Sequence, residues 1–148
     1  MYELINKLVG VLKHLVPESL VRVFRTPYHF LLSFISAVSY GFPAKKLMVI
    51  GVTGTKGKSS VSEMLYTVLK DAGYKTAVAS TIRFAIGEKT EPNLFKMTMP
   101  GRGFIQQFLK KAVDAGCTHA VIEITSESTK QFRHLFLFQN ALVFTNLQ

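Results

Sequence analysis

Cysteine occurs once in this 148-residue chain, at Cys117, which leaves no internal disulfide framework and no cysteine-based zinc site. Such a chain suits a reducing compartment, and the cytoplasm is the expected location. Acidic residues are scarce too: 9 Asp and Glu stand against 18 Lys and Arg, for a net charge of +9. That balance suits anionic partners such as nucleotides, acidic sugars, nucleic acid or a membrane surface, without choosing between them. No cleavable-signal pattern opens the chain, because Glu3, Lys7 and Lys13 interrupt apolar residues spread at helical spacing. Low-complexity tracts and internal repeats are absent, which excludes a repeat architecture. What is present is ample apolar material, 48% of residues, enough for one globular domain with or without an appendage.

Residues 1–44 differ in character from the rest. Leu4, Ile5, Leu8, Leu12 and Leu15 share one face of an expected amphipathic helix, and Pro17 ends that segment or begins the next. After Arg22 and Arg25, the stretch Tyr28 to Phe42 carries no charge, and Lys45 and Lys46 follow it. A membrane span needs roughly 20 mainly apolar residues, whereas this stretch holds His29, Ser33, Ser36 and Ser39 and is broken by Gly41 and Pro43. Three readings stay open: a span, an interfacial helix flanked by basic residues, and a helix packed on its own or another domain.

The most informative run is Val49-Ile-Gly-Val-Thr-Gly-Thr-Lys-Gly-Lys-Ser-Ser60, an apolar strand leading into a glycine-rich turn. Gly54 and Gly57 free the backbone so that successive N–H groups, those of Thr55 and Lys56 among them, can converge on an anion. Lys58 offers a cation to outer phosphates, Ser59 a hydroxyl to Mg²⁺, and the helix opening at Lys58, Ser59 and Ser60 a positive dipole end. The strict pattern Gly-x-x-x-x-Gly-Lys-Ser/Thr is missed, because Val52 stands five positions before Gly57. ATP or another nucleoside triphosphate is the expected ligand; the bland alternative is an ordinary turn with a solvated lysine.

From Leu47 onward the pattern alternates strand and helix, so an α/β fold with a mostly parallel sheet is expected. Strands are expected at Leu47 to Val52, Thr76 to Ile82, His119 to Thr125 and Ala141 to Thr145, with a short hairpin over Phe84 to Thr90. Helices are expected at Lys58 to Ala72, burying Val61, Met64, Leu65, Val68 and Leu69; at Gly103 to Ala115; and at Ser126 to His134. Ligands of a parallel sheet bind beyond the carboxyl ends of its strands. Thr125-Ser126-Glu127 and Thr145-Asn146 reach that edge together with the glycine-rich loop. Glu123, a carboxylate inside an apolar strand, is costly unless paired or bound to metal. Beside Ser59 it would complete a nucleotide–Mg²⁺ site; a solvated or lysine-paired edge residue is the alternative. Thr98, ahead of Pro100 and Gly101-Arg102-Gly103, could offer a hydroxyl to an anionic substrate or merely begin a helix. His119 and His134 could bind metal or move protons, but read first as residues flanking secondary structure.

These residues together resemble the Mur ligase family, the ATP-dependent amide-forming enzymes of peptidoglycan precursor synthesis. Thr53-Gly-Thr-Lys-Gly-Lys-Ser59 is similar to the family's Thr-Gly-Thr-Asn-Gly-Lys-Thr loop, and Thr98-Met-Pro100 to its Thr-Thr-Pro segment. Glu123-Ile-Thr-Ser126 is similar to Glu-Val-Ser-Ser, and Phe144-Thr-Asn-Leu147 to the start of a Thr-Asn-Leu segment that leads to an Asp-His pair. Within the family the likeness is greatest to the branch that adds the third amino acid to UDP-MurNAc-dipeptide. The resemblance covers residues 45–148, a P-loop-type central ATP-binding domain, with residues 1–44 in place of the usual uridine-binding domain. It implies that Lys58 contacts ATP phosphates, that Ser59 and Glu123 hold Mg²⁺, and that Thr98 and Ser126 lie toward the nucleotide-sugar peptide. The implied reaction phosphorylates a substrate carboxylate, and an amino-acid amine then attacks the acyl phosphate.

Departures accompany the matches. Lys56 stands for the usual Asn, Ser59 for Thr, and Glu127 for a frequent His. The Asp-His pair, the lysine that many members carbamylate and the amino-acid-binding domain would all lie beyond Gln148, so the chain is expected to be cut short and unable to complete ligation alone. A folylpolyglutamate- or cyanophycin-synthetase-like ligase, and a non-catalytic nucleotide-binding module held at the inner face of a membrane by residues 1–44, are the competing readings. No nucleic-acid partner is expected, since no recognisable motif or aromatic platform accompanies the charge.

Overall fold

The computed structural model describes residues 18–95, 97–100, 103–130 and 132–146, with side chains from residue 27 onward. The first expected helix, with Leu4 to Leu15, and the pair Gly101-Arg102 lie outside them.

Small and β-branched residues fill strands covered on both faces, and Val49 to Val52, Ala77 to Ala79 and Ala120 to Ile122 do so here. β1 (Met48–Thr53), β2 (Thr76–Ala79), β5 (His119–Glu123) and β6 (Ala141–Phe144) run parallel, while β3 (Arg83–Ile86) and β4 (Lys89–Pro92) form an antiparallel hairpin on the same sheet. The spatial order is β4-β3-β2-β5-β1-β6. Strand alternation divides the core. Val49, Ala77, Ala79, Ala120 and Ile122 pack under α3 (Phe104–Asp114), whose Ile105, Phe108, Leu109 and Ala112 are buried as expected. Val52, Val78 and Val121 face α2 (Lys58–Asp71) on the other side. Glu123, two residues after Val121, therefore falls on the α2 face.

Two expectations are corrected. Met64 and Val68 are not buried by α2; they are 66% and 64% exposed. Its sheet-facing stripe instead runs through Val61, Ser62, Leu65, Tyr66 and Leu69. Tyr66 tolerates burial because its hydroxyl donates to Gly87 O at 2.8 Å and its ring lies 5.1 Å under the Arg83 guanidinium. β2 also ends at Ala79 rather than Ile82, because Ser80 turns the chain. Its Oγ accepts N–H groups from Ile82 and Arg83, both at 3.2 Å. Arg83 in turn forks onto Glu63 of α2, at 2.7 and 3.0 Å, which anchors the hairpin to that helix. This pairing raises the Arg83 pKa, with the Glu63 hydrogen bond as the main cause.

α1 (Glu18–Ser39) ends on the domain itself. Ser33 Oγ donates to Phe132 O at 3.0 Å, Ala37 is fully buried, and Phe30, Phe34 and Phe42 surround the Phe136 ring at 5.7 to 6.1 Å between centroids. Among the described residues no helix is long and apolar enough to cross a membrane. Its outer side keeps an apolar stripe, Tyr28, Leu31, Ile35 and Val38, each 45% to 54% exposed.

Candidate functional site

The carboxyl ends of β1, β2, β5 and β6 meet at one edge, and the loop after β1 is held there by residues about 90 positions further along the chain. β1 gives way at Thr53 to Gly54, with φ of 139°, and Gly57, with φ of 80°, caps the start of α2 without any side-chain cap bond. A Cβ at Gly54 would overlap Thr145 Oγ1 and approach the Asn146 N and O atoms at 3.1 and 3.2 Å. Only glycine fits that crossing. At Gly57 a Cβ would meet nothing within 4 Å, so the helix start faces open space.

Asn146 latches the loop. Its Oδ1 accepts the N–H groups of Thr55 at 2.9 Å and Lys56 at 3.2 Å, while Thr145 Oγ1 donates to Lys56 O at 2.6 Å. Lys58 Nζ lies over the loop, donating to Gly54 O at 3.0 Å and Thr55 O at 3.3 Å. A flexible stem lets this cation turn from the carbonyls to an incoming anion.

Behind the loop lies a chain of oxygens. Ser59 Oγ donates to Glu123 Oε2 at 3.0 Å, and the same carboxylate oxygen accepts the Thr81 N–H at 2.8 Å and hydroxyl at 3.1 Å. Thr81 Oγ1 also stands 2.8 Å from Thr98 Oγ1. Glu123 is 2% exposed, and these donors offset the cost of burying a carboxylate. The sequence reading brings Glu123 to Ser59, and they meet. It overlooks Thr81, which carries no motif; only its position just past the end of β2, at the ligand edge of the sheet, could have pointed to it. Asn93 is a second omission: its Nδ2 donates to Ser80 O and Met97 O, both at 2.9 Å, which folds the segment back so that Thr98 reaches Thr81.

The remaining expected residues are placed less centrally. Ser60 is exposed on the first turn of α2, without a tie to Glu123. Ser126 is exposed at the start of α4 (Ser126–Lys130). The buried member of that segment is Ser128, which exchanges hydrogen bonds with Thr125 as a helix cap. His119 ends in a structural role: its Nδ1 pairs with Thr118 Oγ1 at 2.8 Å and its ring packs on Tyr74.

Among the described residues no group of three or more His, Cys, Asp and Glu gathers as a metal cage. One carboxylate and one hydroxyl beside the glycine-rich loop fit Mg²⁺, which retains water and phosphate oxygens in its coordination shell. The open space at Gly57 and the Lys58 cation beside it likewise fit a polyphosphate chain.

The fold and this edge define a class: an α/β domain whose ligand-binding end combines a glycine-rich strand-to-helix loop with a buried carboxylate. Residues 52–148 match the family model described as the Mur ligase middle domain. The UDP-N-acetylmuramyl-tripeptide synthetase of Borreliella afzelii is 40% identical over 119 residues, covering 78% of this chain and 24% of its own length. The UDP-N-acetylmuramoyl-L-alanyl-D-glutamate–2,6-diaminopimelate ligase of Parabacteroides distasonis is 35% identical over 108 residues, covering 73% of this chain and 22% of its own. A solved structure of a ligase with that same printed name superimposes with a TM-score of 0.62 at 26% identity, over 69% of this chain and 20% of that one. The chain belongs to the Mur ligase family. It spans about a quarter, or less, of the length of these relatives.

Proposed function

We propose that residues 45–148 form the ATP- and Mg²⁺-handling part of an amide-forming ligase that adds an amino acid to a UDP-MurNAc-peptide in peptidoglycan precursor synthesis. The observation that carries this reading is the continuous path Ser59–Glu123–Thr81–Thr98 beside the Lys58 loop. It joins candidate metal ligands to a candidate substrate-facing hydroxyl. Gly57 would border the phosphates together with Thr55 and Lys56, whose N–H groups are not turned to an anion as the sequence suggested but are held by Asn146 Oδ1; Lys58 would neutralise the phosphates, and Ser59 and Glu123 would hold Mg²⁺. Thr98 and Ser126 would face the nucleotide-sugar peptide. ATP supplies the phosphoryl group that makes a substrate carboxylate an acyl phosphate, and attack by an amino-acid amine then expels phosphate and forms the amide. The protein's share in the first step is positioning and charge neutralisation. These residues are proposed for that step, and not for ligation by the chain alone. Equilibrium binding of ATP with Mg²⁺ tests it. Lys58→Ala is expected to weaken binding at least about tenfold, the scale of a lost charged contact; wild-type protein without nucleotide affinity would overturn the reading.

The exposed stripe Tyr28, Leu31, Ile35 and Val38 favours one addition, peripheral contact of residues 1–44 with a membrane's inner face. Apolar residues at this spacing next to Lys45 and Lys46 suit an anionic lipid surface. Co-sedimentation with anionic vesicles should fall in Leu31→Glu/Ile35→Glu; equal sedimentation of both proteins would refute attachment.

A further inference from the structure

α3 covers only part of the sheet beneath it. Phe104, Gln107, Phe108, Lys111 and Ala115, spaced so that they stay in line along the helix, form one wall of a groove of about 810 Å³. Phe84 and Ile86 of β3, which point to the α3 side of the sheet, are its floor. The opposite wall is β4, where Glu91 lies across from Phe84 and Lys89 across from Ile86. No residue of the glycine-rich loop lines the groove, and neither do Thr81, Thr98 or Glu123.

The groove changes character along its length. At the start of α3 it is hydrocarbon: Phe104 packs on Phe84 and Phe95 at 4.8 and 5.4 Å between centroids, with Leu94 beside them. Leu94 and Phe95 are 81% and 57% exposed, so an apolar occupant would take that surface out of water. At the end of α3 the groove is cationic. Lys75 runs along the hairpin turn, its Cε 3.3 Å from where a Cβ on Gly87 would stand. Lys89 is level with Ile86, and Lys111 lies in the last turn of α3. None of these three lysines makes an ion pair with a described residue, whereas Glu88 is held by Lys70 at 3.0 Å. Glu91 stands two residues from Lys89, about 7 Å toward the apolar end.

We propose that this groove binds a fatty carboxylate, with its alkyl chain along α3 and its carboxylate among Lys75, Lys89 and Lys111. Charge complementarity places the head, and the hydrocarbon lining dictates the body, because polar groups along the chain would lose water and gain no partner. The groove volume lies within the range of about 300–1,000 Å³ typical of small-ligand sites. From Phe104 to Ala115 the helix rises about 16 Å. Carbon–carbon bonds of about 1.5 Å at about 111° advance about 1.25 Å each, so a chain of about twelve carbons spans that length. A bilayer face suits the groove less well. Lys89 and Glu91 on one wall and Gln107 and Lys111 on the other are exposed; a bilayer would have to desolvate them, whereas a single chain passes between them.

Calorimetric titration of the full chain with sodium dodecanoate below its micellar range tests the site, and amide spectra of the ¹⁵N-labelled chain locate it. Saturable binding is expected, with shifts along Phe84 to Lys89 and Phe104 to Ala115 and none at Gly54 to Ser59. Decanoate should bind about tenfold more weakly for its two missing CH₂ groups. Dodecyltrimethylammonium, with the same chain and the opposite charge, should bind at least about fivefold more weakly. Lys75→Glu/Lys111→Glu should reverse that preference, and both positions are exposed, so the fold is retained. Leu94→Glu, at the apolar end, should weaken dodecanoate about tenfold. No saturable binding, shifts confined to α1, equal affinity for the two head groups, or binding to anionic bilayers but not to dodecanoate would each overturn the proposal. ATP binding through Lys58 is unaffected by any of these results.

Discussion

Gly54→Ala isolates the mechanical basis of the loop. The native φ of 139° lies where side-chain-bearing residues are strained by about 1–3 kcal/mol. The added Cβ would also displace Thr145 Oγ1 and press on the Asn146 backbone at 3.1 and 3.2 Å. Moving those residues loosens Thr145 Oγ1–Lys56 O and the two Asn146 bonds to Thr55 and Lys56, each worth about 0.5–1.5 kcal/mol. Partial relaxation should limit the total to about 2–4 kcal/mol, since strain and lost bonds trade against one another. Urea unfolding followed by circular dichroism would measure this, and ATP titration should show affinity falling by at least about tenfold. Thr145→Ala removes the overlapping hydroxyl but neither the φ strain nor the backbone approach. The double variant should therefore be less destabilised than the sum of the single ones, by about 1 kcal/mol. A Gly54→Ala protein within about 0.5 kcal/mol of wild type, or strict additivity with Thr145→Ala, would refute the reasoning.

Thr81→Val should retain the N–H bond to Glu123 but lose the hydroxyl bonds to Glu123 and Thr98. The expected cost is about 1–2 kcal/mol and a severalfold rise in the Mg²⁺ needed for half-maximal ATP binding. Thr81→Ser should restore both, and a silent Thr81→Val would remove Thr81 from the site. Burial raises the Cys117 pKa, with Gly87 and Lys75 acting weakly the other way. The folded thiol therefore ionises later than the unfolded one, so stability declines as pH rises through the ordinary thiol range. Ellman's reagent at pH 8 should react far more slowly with native protein than with protein in urea; equal rates would contradict that burial.

Much of the site was readable because its parts lie in short motifs. The strand, the glycines and Lys58-Ser59 are contiguous, and Glu123 stands out as a charge in an apolar strand. Thr81 was not readable, since its role depends on Ser80 turning the chain after β2 and on β2 lying beside β5. Met64 and Val68 misled because hydrophobicity names a candidate face, whereas the face chosen was the one on which Tyr66 finds Gly87 O and Ser62 is small enough to lie against the sheet. The landing place of α1 was likewise beyond periodicity. It is set by Ser33 meeting Phe132 and by the Phe136 cluster, residues about 100 positions apart that share no pattern.

The Asn146 latch also bears on the order of folding. Its bonds to Thr55 and Lys56 span 91 and 90 residues, and contacts of such separation close late, after most chain entropy is already lost. The loop thus acquires its final form only once β6 has docked beside β1. Any ligand of the loop must pull that docking equilibrium toward the native arrangement. Nucleotide affinity becomes a gauge of whether β6 is home, and amide exchange in β6 should slow as the loop is filled.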